Sequence, residues 1–154
     1  MHRIGILLLA WLWWGGAHGI GAETASHGRI IKVLPQFIDK KGKHSPAPSL
    51  FDRDAYQLQL QEHPDRRGGL RFQVQWKLHS RGPCQLRVEL RGARDKVATT
   101  AKLEANVQRH GWFSRWTQVT LTGDAYRNFG DLVAWRATIW DGDRPLAESK
   151  SFLW

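Results

Sequence analysis

The sequence predicts a mainly β protein, an antiparallel seven-stranded β-sandwich with one short helix inserted between the first two strands. Period-two alternation of apolar and polar residues carries most of that expectation. It runs from Leu70 to Leu78 and returns in later segments as far as Ile139. Short turns rich in Gly, Pro and Asp separate these segments, as hairpin-connected strands require. One segment instead carries helix signals, with Ser49 and Asp52 at its head and Pro64 beyond its end.

The first strand comes from Ile30, Ile31, Val33, Leu34, Phe37 and Ile38. Pro35 lacks the ladder donor, so this reads as an edge strand with a kink. Residues 39–43 have turn chemistry, and residues 45–48 form a stiff, proline-bearing linker. In residues 49–62, Phe51, Ala55, Leu58 and Glu62 would share one helix face. Tyr56 to Gln61 also alternates as a strand would, but the cap and stop signals favour the helix.

From Gly69 onward Leu70, Phe72, Val74, Trp76 and Leu78 point inward, while Arg71, Gln73, Gln75 and Lys77 point outward. Leu86, Val88 and Leu90 repeat the pattern, and residues 92–96 turn the chain. Ala101, Leu103, Ala105 and Val107 continue it, followed by Thr117, Val119 and Leu121. Residues 123–131 read as a connection with one helical turn in it. Val133, Trp135, Ala137 and Ile139 then face one way, with Arg136 and Thr138 facing the other. The run Asp141-Gly142-Asp143-Arg144 closes a hairpin, and residues 145–154 return as the last strand with Trp154 docked.

Ahead of this lies an export pattern. Arg3 precedes the apolar run from Ile4 to Trp14, and small residues follow up to Ala22. Residues 1–22 therefore read as a signal peptide cleaved after Ala22 (Gly19 is the competing position). Residues 23–28 are a flexible lead-in, and residues 29–154 form a single domain. An uncleaved membrane anchor is the alternative. It is disfavoured because the run breaks into glycines and His18, short of the roughly 20 apolar residues of a span. The implied location is secreted or periplasmic.

The net charge of +9 belongs almost wholly to the domain, since Arg3 is the one basic residue of the leading segment. Such a domain attracts anionic polymers through long-range electrostatics, although arginine-rich surfaces also serve solubility alone. Cys84 is the single cysteine, so no intrachain disulfide forms, and burial as a small hydrophobe is its expected role.

The strand count and spacing over residues 28–154 resemble an immunoglobulin or fibronectin type III domain, with Trp76 as the candidate core tryptophan. The Cys…Trp…Cys framework is missing, and Tyr126 stands too early for a tyrosine corner. Sandwiches of this kind host many activities, so the resemblance implies a fold and no mechanism.

No catalytic motif is found: there is no nucleophile elbow, phosphate loop, His-Glu-x-x-His or Cys-x-x-Cys. His27, His44, His63, His79 and His110 are scattered without chelate spacing, so neither a metal site nor a cofactor is expected. Asp52 and Asp54 fall on different helix faces, and Asp141 and Asp143 belong to a turn. The binding candidates are Arg109, Trp112, Arg115 and Trp116, in a basic, aromatic connection between two strands. The expected function is a non-catalytic binding or structural module of the envelope or periplasm, whose partner is a protein or an anionic envelope polymer. A small enzyme or accessory subunit is the alternative. Nucleic-acid binding requires the leading segment not to be a signal, and membrane association requires that signal to stay uncleaved.

Overall fold

The computed structural model describes residues 28–79, 82–108 and 112–154, so the signal segment and its Ala22 cleavage position lie outside the described residues. Strands β1 (Gly28–Asp39), β2 (Arg67–Leu78) and β5 (Arg115–Thr122) form one antiparallel sheet in the order β1-β2-β5. Strands β3 (Pro83–Arg94), β4 (Val97–Gln108), β6 (Asp131–Asp141) and β7 (Arg144–Lys150) form a second, in the order β4-β3-β6-β7. The inward positions of both sheets meet in one core, where Phe72, Val74, Leu86, Val88 and Ile139 are fully buried. The arrangement is sandwich-like, and the alternation that predicted the strands is the same alternation that fills it. Cys84 is buried in this core.

The helix comes where its caps place it. Helix α1 spans Leu50–Glu62, the Ser49 side chain accepts from the Asp52 amide, and Pro64 opens a single 3₁₀ turn, Pro64–Arg66. A second helix, α2 (Gly123–Phe129), stands between β5 and β6, so the expectation of one helix is corrected to two. Gly130 ends α2 with φ 77°, and α2 drops Phe129 into the core. Gly92 makes room for it, because a Cβ there would stand 2.6 Å from the Phe129 ring.

Four local expectations change. The helix face with Phe51, Ala55, Leu58 and Glu62 points outward, and Tyr56, Gln57 and Leu60 face the protein instead. Gly92 belongs to β3, and the turn tightens to Asp95 and Lys96, both at positive φ as a two-residue hairpin turn demands. Val133 is half exposed because it is the extra residue of a bulge: Ala134 pairs with Arg91 and Leu132 with Gly92. The final strand stops at Lys150, where Ser151 still exchanges bonds with Trp135 before the chain turns back to Trp154. The Pro35 edge strand is as read, but its register shifts fall at Ile31 and near Asp39 rather than at the proline.

Two side chains decide the seating of α1. The Gln57 carboxamide accepts from the Phe37 amide at 2.8 Å and donates to the Phe37 carbonyl at 2.9 Å, filling the open edge of β1 at that residue. Arg67, with a side chain only 6% exposed, donates to the carbonyls of Leu60 and Gln61 at the helix C-terminus. Its guanidinium also lies 4.1 Å from the Phe37 ring centre and 3.3 Å from Asp131.

Replacing Arg67 by Met is expected to cost roughly 1.5–3 kcal/mol, because the two carbonyls at the helix C-terminus lose charged donors. Asp131→Asn removes only the exposed half of the ion pair and should cost less than about 1 kcal/mol. Urea midpoints of the two variants test this ordering.

Candidate functional site

The connection between β4 and β5 carries the aromatic residues singled out from the sequence. Trp112 is 78% exposed, Phe113 85% and Trp116 49%, too much apolar area to belong to the core. Arg109 lies outside the described residues. Arg115 and Trp116 open β5, opposite Trp76 and Gln75 of β2. That pairing is pinned by side chains: Trp76 Nε1 donates to Thr117 Oγ1 at 2.8 Å, and Gln75 Nε2 donates to Ser114 Oγ at 3.0 Å. The candidate core tryptophan is thus buried by its ring and used by its polar edge.

Arg115 and Trp116 line one cavity of about 360 Å³ together with Trp76, Pro83, Asn106 and Gln108. It sits on the seam between β4 and β5, the edge strands of the two sheets. Trp112 is not among the lining residues, so the structure brings Arg115 and Trp116 together and leaves Trp112 on the connection, outside that lining. The lining supplies two indoles, a guanidinium and two carboxamides. Such a set stacks on a ring or apolar face and hydrogen-bonds around it. Among the described residues, the lining has no carboxylate, histidine or thiol. Among the described residues no group of three or more His, Cys, Asp or Glu side chains is placed to hold a metal ion, and no helix is long and apolar enough to cross a membrane.

Two further clusters escaped the sequence reading. On the outer face of the four-stranded sheet, Trp154 gathers Arg91 and Arg136 around its ring. Their outward positions follow from alternation, but their neighbourhood needs the β3–β6 register. On the other sheet, Arg71 is 8% exposed, and among the described residues its guanidinium donates to the neutral Gln36 Oε1 alone, at 3.1 and 3.3 Å. Burial lowers the Arg71 pKa. His44 is held below its ordinary value by burial first, then by the charges of Arg71 and Arg53.

Asp39 ties the neighbouring turn together. Burial works to raise its pKa, but bonds from the Lys43 amide, the Tyr56 hydroxyl and the Lys41 amide outweigh it and hold the carboxyl low. The same Tyr56–Asp39 bond, at 2.8 Å, raises the tyrosine.

His44 and Asp39 each bind fewer protons folded than unfolded, so each favours the folded state at higher pH. The His44 contribution is present above its ordinary value of 6.5 and is lost as pH falls through the lower folded value. The Asp39 contribution is lost in the same sense below 3.8. Urea midpoints measured from pH 8 to acid should therefore fall in two stages, and His44→Gln should flatten the first while leaving the second. No protein-family model, curated protein or solved structure matches the chain.

Proposed function

We propose that this chain is an exported, non-catalytic binding module of the cell envelope or periplasm, and that it binds through the β4–β5 seam. One observation carries the reading: exposed Trp116 and Arg115 line a cavity suited to stacking and hydrogen bonding, and the connection that leads into it exposes Trp112 and Phe113. The partner is a protein or an anionic envelope polymer, in keeping with the +9 charge. The export pattern of residues 1–22 supplies the address.

We further infer that the fold is of the fibronectin type III-like kind. Lettering β1 to β7 as A to G, the sheets read A-B-E and D-C-F-G. A constant-type immunoglobulin domain puts its fourth strand beside the fifth, whereas here the fourth pairs with the third. The turn at Asp95 and Lys96 favours this arrangement, because two residues suffice only for a hairpin within one sheet.

Trp116→Ala and Arg115→Ala should each weaken capture of the partner from envelope extract about tenfold or more, as central aromatic and arginine anchors do. Their thermal midpoints should stay near the parent value, since both side chains are exposed. Unchanged capture by both variants removes the seam as the binding site. A reporter active only outside the cytoplasm, fused to residues 1–30, tests the address, and an inactive fusion overturns it.

A further inference from the structure

We propose that the outer face of the four-stranded sheet carries a second site, an oxyanion cradle for the carboxylate or phosphate groups of an acidic polysaccharide. The Arg91 guanidinium lies 4.1 Å from the Trp154 ring centre and that of Arg136 4.9 Å. An aromatic ring holds a guanidinium in place through its quadrupole without neutralising it, and leaves the N–H fork available. A carboxylate in the same place would consume both charge and donors. Arg136 is paired in that way, with Glu89 at 2.7 Å, but among the described residues Arg91 makes no ion pair.

The surroundings keep the positive excess. Arg87 and Lys102 share the single carboxylate of Glu104, each at 3.0 Å. Four cations, Arg87, Arg91, Lys102 and Arg136, therefore face two carboxylates, Glu89 and Glu104. Arg91, Arg136, Lys102, Thr100 and Trp154 line a cavity of about 480 Å³ with Glu89 at its side. Arg91 is exposed, so its fork reaches solvent and a planar oxyanion can approach it bidentately. Lys102 adds a point charge, and Thr100 a hydroxyl suited to a sugar. The site stands on this geometry alone, while the choice of a polysaccharide rests on the export reading.

The test is titration of the full chain with four probes at low and at 0.5 M salt. Polygalacturonate offers carboxylates on sugar and phosphomannan offers phosphates on sugar, with dextran as the neutral control and poly-glutamate as carboxylates on peptide. Binding of one or both acidic glycans, but not dextran, is expected. Arg91→Gln should weaken it about tenfold and Arg91→Lys less, whereas Arg29→Gln, the same loss of charge at an exposed position on the other sheet, should leave it near the parent value. Whichever acidic glycan loses more affinity in Arg91→Gln identifies the oxyanion. Equal affinity of the parent and Arg91→Gln overturns the cradle, with thermal midpoints confirming that the variant is folded. Loss in Trp116→Ala alone assigns the binding to the β4–β5 seam and also overturns it. Poly-glutamate binding as tightly as the glycans overturns the polysaccharide class in favour of an acidic protein. A failed export fusion beside an intact Arg91 effect overturns the envelope reading and leaves the oxyanion site standing.

Discussion

Arg67 joins parts of the chain that otherwise share little contact. Its side chain is almost completely buried, yet its charge is spent on several acceptors at once. The helix C-terminus provides two carbonyls, Phe37 a ring face, Asp131 a carboxylate, and Tyr126 of α2 its hydroxyl. A buried cation with so many partners offsets its desolvation through hydrogen bonds, where a single ion pair would not. Because those partners belong to β1, α1, α2 and β6, one residue at the start of β2 sets how both helices meet both sheets. The packed core explains why the sheets face each other. Arg67 explains why the elements at that end keep their places.

Charge elsewhere is handled in two ways. On the outer face of the four-stranded sheet most cations are paired across strands, as Arg136 is with Glu89 and Arg87 with Glu104. Arg91 and Arg71 are held instead by neutral groups, an indole and a carboxamide. The first arrangement cancels charge, and the second stores it close to the surface or inside the fold. That difference gives the net charge of +9 a spatial meaning that composition lacks.

The strands were legible because alternation is written along the chain and needs no knowledge of neighbours. The bounds of α1 were legible for the same reason, since Ser49 and Pro64 act locally. The buried face of α1 was not. Phe51 and Leu58 are more apolar than Gln57, but the edge amide and carbonyl of Phe37 decide which side turns inward, and they lie 20 positions away. The Val133 bulge likewise depends on where Gly92 falls across the sheet. At the candidate site, Trp112 and Trp116 stood out as aromatics in a polar segment, and both are exposed. Asn106 and Gln108 joined the site only through the meeting of β4 and β5, and the Trp154 cluster only through strand register.

The Gln57 carboxamide at the edge of β1 bears on how the protein behaves when crowded. A side-chain amide that accepts and donates where a neighbouring peptide group would is a stand-in for a missing strand. While it is seated, another chain cannot add to that edge at Phe37. Strand addition at this stretch of β1 must begin by lifting α1, whose hold includes a few polar contacts and the buried Leu60. Resistance to fibril growth through this edge is then governed by local detachment of a helix, with the core still folded, and need not follow global stability. Two sequences with the same melting temperature, differing only at position 57, would have very different shelf lives.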